Sequence, residues 1–424
     1  MSEPRSWPLR FYAVMAAAAS PLAPAMLSWR ARRGKEDPLR LTERLGKPGA
    51  ARGEGPLVWM HGASVGEGLS LLHLVTQMRA LRPDVHILVT TGTRAAAELL
   101  AERLPGGVAH QFAPIDTPDA TARFISYWRP SLGVFVESEL WPNLIGAARA
   151  SGAHMALVSA RFSERSWRNW RRSPRAARDI LGAFDLVFAR DLQARGRIED
   201  LGGRVDGVWD AKLGAPPLAA DSAALASVRG QVDGLSLVLA ASTHPGEEAI
   251  VARAFAEATT DAPNARLILV PRHPGRGAEV EAVVRAEGLT IARHSQGGDL
   301  ASARIYVADT MGELGLWYRL ALLAVVGGSL VDGVGGHNPL EPARLGCPFV
   351  AGPHVDLWPI YSAFVEADAT RLLNGHSALA DFMRRALSPT PGLTEMASRA
   401  LALARERDAE AEALAPRLLA LMDS

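Results

Sequence analysis

The stretch "VVGGSLVDGVGGHNPLEPARLG", residues 325–346, is an apolar run that breaks into glycines and restarts as a helix. Val325 and Val326 read as the end of a buried strand. Gly327–Gly336 reads as a loop whose glycines are free to take positive φ. Asn338 suits an N-cap, Pro339 suits the first helical position, and Glu341 stands where a capping box would place it. A helix start behind such a loop presents unpaired N–H groups that favour an anion such as phosphate. An ordinary well-capped helix start has the same signature, so this stretch alone decides the strand–loop–helix grammar and not the ligand.

That grammar repeats along the chain. In the first half "GPLVWMHGAS", "VHILVTTGT", "LGVFVES", "HMALVSA" and "AFDLVFAR" are short apolar strands separated by helical patterns. In the second, "LSLVLAAST", "ARLILVPRHP", "ARIYVADTMG", "LALLAVVGGS" and "CPFVAGPH" continue it. Continuous Val/Ile/Leu runs between amphipathic helices indicate parallel sheets covered on both faces. Residues 207–222, "GVWDAKLGAPPLAADS", lose periodicity and read as a linker. The expected organisation is a segment 1–35, a Rossmann-like domain 36–211 and a second over 212–424, two doubly wound halves with a cleft at their strand ends. The charged amphipathic tail 393–424 is expected to close the fold or pack back on the first domain.

The chain has 424 residues, 48% hydrophobic and 21% charged, with a net charge of +1, which gives no global case for nucleic-acid binding. Its one cysteine excludes an internal disulfide and a cysteine-cluster zinc site. No His/Asp/Glu spacing suggests a metal, and neither a P-loop nor a G-x-G-x-x-G follows a strand. Residues 9–29, "LRFYAVMAAAASPLAPAMLSW", are apolar, and Arg30, Arg32, Arg33 and Lys35 follow. Their length approaches the ~20 residues of a spanning helix, but alanines, Pro21 and Pro24 argue for an anchor or interfacial segment with the basic cluster facing the cytoplasm. A core helix is the alternative.

Several strand ends carry chemistry. "ASVGE" places Ser64 and Glu67 at capping-box spacing, and "DTMGEL" does the same with Thr310 and Glu313. "AASTHPGEE" sets Ser242, Thr243 and His244 at a helix start, and "VPRHPGR" sets Arg272, His273 and Arg276 at a strand end. A planar guanidinium there matches a phosphate or carboxylate. "VESELWPN" puts Glu137, Glu139 and Trp141 together, able to orient a sugar or an amine and to supply a stacking face. "ARFSERSWRNWRRSPRAAR" (160–178) holds seven arginines, one acid, and Trp167 and Trp170, a pattern suited to phosphates at a membrane surface.

In this order, "WMHGASVGE", "VESELWPN", "SARFSERS", "ASTHPGEE", "PRHPGR", "DTMGELGLWY", "VGGSLVDGVGGHNPLEP" and "GPH" resemble the signatures of the bacterial 3-deoxy-D-manno-octulosonic acid (Kdo) transferases of lipopolysaccharide synthesis. The resemblance runs from the N-terminal segment to about residue 370. It implies a GT-B glycosyltransferase at the cytoplasmic face of the bacterial inner membrane. Such an enzyme moves Kdo from CMP-Kdo to a lipid A precursor, inverting the anomeric centre, with no metal, cofactor or nucleic acid. The family's catalytic glutamate falls on Glu67. Its donor-side motifs fall on Ser242, Thr243, Arg272, His273, Met311, Gly312, Glu313, Gly335, Gly336, Asn338 and Glu341, with Lys212 matching a Gly-Asn-x-Lys pattern whose asparagine is replaced here by Asp210. Ser64, Gly66, Glu137, Glu139, Trp141, Arg161, Arg168, Arg171 and Arg172 are assigned to the acceptor side. Ser138 replaces the commoner threonine. A sugar-nucleotide epimerase of similar fold and a non-catalytic nucleotide-sugar sensor are the competing readings.

Overall fold

The computed structural model describes residues 6–214, 217–388 and 392–424, without the side chains of residues 212 and 213. The chain divides into two compact units, Met1–Ala215 with Asp408–Ser424, and Pro216–Arg407.

The first unit is built on β1 (Leu57–His61), β2 (His86–Thr91), β3 (Ala109–Phe112), β4 (Leu132–Val136), β5 (His154–Ala160), β6 (Leu186–Ala189) and β7 (Gly207–Val208). Their order is β3-β2-β1-β4-β5-β6-β7, every pair parallel. Alternation along β1 explains its unbroken apolar run. Leu57 and Trp59 enter a core with Phe124, Trp128 and Phe135, while Val58 and Met60 enter another with Val75, Met78 and Val134. Leu414, Ala415, Leu418 and Leu419 from the C-terminal helix Leu414–Ala420 join that second core.

The second unit contains β8 (Ser236–Thr243), β9 (Ala265–Pro271), β10 (Ile291–Arg293), β11 (Ile305–Val307), β12 (Leu323–Val326) and β13 (Phe349–Ala351). The order is β10-β11-β9-β8-β12-β13, again all parallel. Sequence periodicity overlooks β3, β7 and β10. These are short edge strands: β3 carries His110 and Gln111, β10 has three partly exposed residues, and β7 lies inside the stretch read as linker.

In both sheets strand order reverses beside the first strand, at β1–β4 and at β8–β12. Loops leaving the carboxyl ends of such a pair diverge and open a crevice, the usual ligand position in open α/β sheets. The motifs "ASVGE" and "VESELWPN" leave the first pair, while "THPGEE" and the glycine loop leave the second.

Near the N-terminus, Trp7–Ala19 and Ala23–Arg32 are helices joined by a 3-10 turn at Ser20–Leu22, with Pro21 in the turn and Pro24 in the first turn of the second helix. Together they form a stretch long and apolar enough to cross a membrane, only 11% of it buried. Trp7, Phe11, Val14, Met15, Leu22 and Trp29 face outward, while Leu9, Ala23 and Leu27 pack inward.

Candidate functional site

In the first unit the helix Val65–Leu81 opens with a complete capping box. Ser64 Oγ accepts the Glu67 N–H at 3.3 Å, and Glu67 Oε2 accepts the N–H groups of Ala63 (2.6 Å) and Ser64 (3.1 Å). Burial raises the Glu67 carboxyl above its ordinary range. The two N–H bonds oppose this, but the charges of Glu139 and Glu137 add to it, and the net shift is upward. A partly exposed carboxylate held this way is both a better proton acceptor and fixed in direction. Gly66 is exposed with open space beside it.

The loop after β4 supplies the neighbouring acids. Glu137 has φ +60°, a left-handed conformation rare for a residue with a side chain and concentrated where function holds it. Glu139 Oε2 accepts Trp141 Nε1–H at 2.7 Å and lies 3.7 Å from His61 Nε2. Burial works to raise the Glu139 carboxyl, but His61 and then Trp141 outweigh it and leave the net value lowered. The two neighbours therefore diverge, Glu67 upward and Glu139 downward, an arrangement able to give one acid a proton-accepting role and the other that of a fixed charge. Trp141 keeps 42% of its surface exposed. Buried Asp116 holds the helix that follows, accepting the N–H groups of Asn143 (3.1 Å) and Leu144 (2.8 Å). His61, the last residue of β1, and Asp116, after β3, escape motif reading because each is a single polar residue whose partner lies far along the chain.

The basic stretch forms the helices Glu164–Arg171 and Pro174–Leu181. Arg168 pairs with Glu164 (2.9 Å) and Arg171 with Asp200 (3.4 Å), while Arg161 and Arg172 are exposed. The tryptophans are not free stacking faces. Trp167 donates to Asp200 Oδ2 at 2.8 Å, and both Trp167 and Trp170 pack against the core.

In the second unit Ser242 has φ +57° at a register shift that ends β8. Buried Thr243 donates to Glu248 Oε1 at 2.9 Å, and Arg276 Nη1 donates to the same oxygen at 2.8 Å. The fully buried Glu247 accepts four backbone N–H groups: His244 (2.8 Å), Gly328 (2.7 Å), Ser329 (2.9 Å) and Leu330 (2.8 Å). The glycine loop is thus tied to the "THPGEE" turn by one carboxylate. Gly327 is required there because an added Cβ would sit 2.7 Å from Ser242 O.

This corrects the reading of the glycine loop as a ready anion cradle. The N–H groups of residues 328–330 already serve Glu247, and Gly336 N–H serves Gly328 O. The following helix starts at Leu340 and has five residues, with Pro339 at the cap and Leu340 N–H on Asn338 Oδ1 at 3.0 Å. Glu341 makes no capping box with Asn338; it is the second helical residue. The proline at 339 and the shortness of the helix shift its start by one residue. The box expected at Thr310 and Glu313 is likewise absent. Thr310 Oγ1 bonds the Glu313 carboxylate directly, and Glu313 is itself the cap of the helix Leu314–Leu320.

Freed of capping, the Glu341 carboxyl is raised to about 7 by burial, which the charges of Arg272 and Arg344 only partly oppose. Arg272 is exposed, and among the described residues its guanidinium has no hydrogen-bond or ion-pair partner. It follows β9, with its N–H on Thr243 O at 3.0 Å, so Ser242, Thr243, Arg272 and His273 form one strand-end edge. His337, one residue after Gly336, stacks on His244 with Nε2···Nε2 at 3.0 Å. Burial, then His244 and Arg272, lower His337 to about 4, so at neutral pH it is uncharged. Met311 (78% exposed) and Gly312 (φ +87°) follow β11, and Glu313 contacts Thr310 and His294 rather than Arg272 or Glu341. The Lys212 side chain lies outside the described residues. Glu247, Glu248 and His337 carry no role legible in the sequence, although each lies inside a string that carries the family likeness.

A family profile described as 3-deoxy-D-manno-octulosonic-acid transferase (kdotransferase) matches residues 39–212. The chain is 35% identical over 369 residues to the probable mitochondrial 3-deoxy-D-manno-octulosonic acid transferase of Arabidopsis thaliana, covering 82% of this chain and 80% of that one. It is 35% identical over 348 residues to the 3-deoxy-D-manno-octulosonic acid transferase of Bordetella pertussis, covering 78% and 81%. In fold it is similar to the Anabaena Alr3699/HepE protein crystallised with UDP and glucose, with a TM-score of 0.53 and 16% identity over 86% of this chain and all of that one. The folds of the two units, both parallel doubly wound sheets as in GT-B glycosyltransferases, agree with the sequence likeness, and the chain belongs to the 3-deoxy-D-manno-octulosonic acid transferases, a family of glycosyltransferases.

Proposed function

We propose that this protein transfers Kdo from CMP-Kdo to a lipid A precursor by a single inverting displacement, with Glu67 as general base. The acceptor hydroxyl gives its proton to the Glu67 carboxylate, its oxygen bonds to the anomeric carbon of Kdo, and the bond from that carbon to the CMP phosphate breaks. One displacement inverts the centre. Such base help is worth about 10²–10⁴ in rate. The observation that carries this reading is the Glu67 carboxylate itself, aimed by two backbone N–H groups and raised by burial and two neighbouring acids.

On the donor side, Arg272 meets the phosphate or the Kdo carboxylate, joined by His273, and Glu341 meets the ribose hydroxyls. The cationic contribution comes from side chains, because the loop N–H groups at 328–330 are occupied. Glu137, Glu139 and Trp141 position the acceptor sugar, and Arg161, Arg168, Arg171 and Arg172 attract its anionic lipid surface. The helical segment 7–32 holds the enzyme at the cytoplasmic face of the inner membrane, an assignment supported by its exposed apolar side chains.

The test is incubation of purified protein with CMP-Kdo and the lipid A precursor. A Kdo-bearing lipid with inverted configuration is expected. Conversion of the sugar nucleotide without transfer would replace this reading with an epimerase, and binding without product would replace it with a sensor.

A further inference from the structure

A cavity of about 760 Å³ in the first unit lies between the start of the helix Trp7–Ala19 and the helices Pro142–Ala150 and Pro174–Leu181. Its floor includes Leu9, Ile145 and Ile180, and Arg149, Arg175 and Arg178 line it with one acid, Asp179. The Asp179 carboxylate accepts the Ser6 N–H at 2.6 Å. Arg149 is engaged by Asp185 at 2.8 Å. Arg175 is exposed and has no partner among the described residues, and Arg178 makes only a 3.4 Å bond to Pro174 O. The Arg178 stem passes close over Gly202, where an added Cβ would come within 2.5 Å of its Cγ.

Arg175 and Arg178 are three residues apart on one helix and both line the cavity, which puts two cationic side chains on one side of it. A cationic pair above an apolar floor suits the phosphorylated headgroup of an amphiphile, with the phosphate on arginine and the less polar portion below. Two neighbours narrow the occupant. The cavity takes Ser6 and Leu9 from the start of the segment that is long and apolar enough to cross a membrane, so a lipid headgroup bound there would lie close to that segment. Pro142, which lines it, follows Trp141 directly and lies three residues from Glu139. The geometry points to this cavity as the seat of a phosphate group on the lipid acceptor, holding it while its sugar faces the Glu139–Trp141 loop. This rests on the transferase reading and specifies the acceptor's anchoring point within it.

The test uses the full chain and three vesicle types: phosphatidylcholine alone, the same lipid with the phosphorylated lipid A precursor, and the same lipid with phosphatidylglycerol at equal charge. The parent is expected to bind precursor vesicles best, and inorganic phosphate should compete with that preference. The double variant Arg175→Gln/Arg178→Gln should lose it and raise the KM for the lipid acceptor about tenfold or more, with kcat and CMP affinity unchanged. Ala150→Trp, at an exposed lining position, should do the same by filling the cavity. Parental KM and parental vesicle preference in both variants would overturn the assignment. Equal binding of phosphatidylglycerol and precursor vesicles by the parent would overturn it too, leaving only a general anionic surface. Should the parent transfer no Kdo, the transferase reading fails, while the vesicle preference, read without turnover, still decides the cavity.

Discussion

Two glutamates occupy the same local position in the two units and do different things. Both follow a strand at a point where strand order reverses, both follow a glycine, and both accept the backbone N–H of the residue three before: Ser64 to Glu67 at 3.1 Å, His244 to Glu247 at 2.8 Å. Glu67 takes one further N–H, keeps part of its surface exposed and has its carboxyl raised. Glu247 takes three more from a distant loop and is fully buried. A carboxylate has about four acceptor sites, so Glu247 is fully committed while Glu67 retains capacity for a proton. One signature thus leaves a carboxylate with acceptor capacity to spare in the first unit and ties a loop in place in the second.

That contrast breaks most sharply at Glu67. Glutamine preserves the capping box, which accepts either side chain, but cannot take a proton at neutral pH. Glu67→Gln is expected to fold and bind donor like the parent and to lose Kdo transfer by about two orders of magnitude or more, measured as kcat. Parental turnover in a folded variant would move the base to Glu137 or Glu139.

Glu247 should respond in stability. Glu247→Ala leaves four N–H groups without their acceptor, and the two that are buried, on Gly328 and Ser329, each cost about 1–3 kcal/mol if no water replaces it. The variant is expected to melt well below the parent and to lose CMP binding together with the order of loop 327–336, read by calorimetry and hydrogen exchange. A variant that melts like the parent but transfers no Kdo would make the two glutamates alike after all.

Glu341 lies between these cases. Its carboxyl is raised to about 7 from an ordinary 4.5, so its ionisation opposes folding. Stability from its neutral form is full below about pH 4.5 and is lost as pH rises through about 7. The melting temperature of the parent should therefore fall relative to Glu341→Gln over that interval. CMP affinity should drop about tenfold in the variant if the carboxylate binds the ribose, as calorimetric titration would show.

The smallest effect is expected on the arginine surface. Replacing Arg168, Arg171 and Arg172 by glutamine removes two exposed ion pairs, and such pairs contribute about 0–1 kcal/mol. Melting should hardly change, while use of the anionic lipid weakens modestly and added salt mimics the substitution. An equal loss of CMP affinity would assign the stretch to the donor side.

The sequence by itself determined the fold class, the two repeated halves and the family. Those features are written in runs of contiguous residues: apolar strands buried on both faces, glycines where a side chain would collide, and long motif strings at strand ends. The Ser64–Glu67 box was legible for the same reason, since all its bonds join residues four or fewer apart. Only the tertiary structure decided how those motifs are used. Glu247 reaches over eighty residues along the chain to occupy the loop N–H groups that local reading left free for an anion. His61 next to Glu139 and Asp116 under the helix after Trp141 follow likewise from which strand ends the sheet sets side by side. Hydrogen-bond capacity and burial are settled by neighbours in space, and a parallel sheet with crossover helices takes those neighbours from far along the chain.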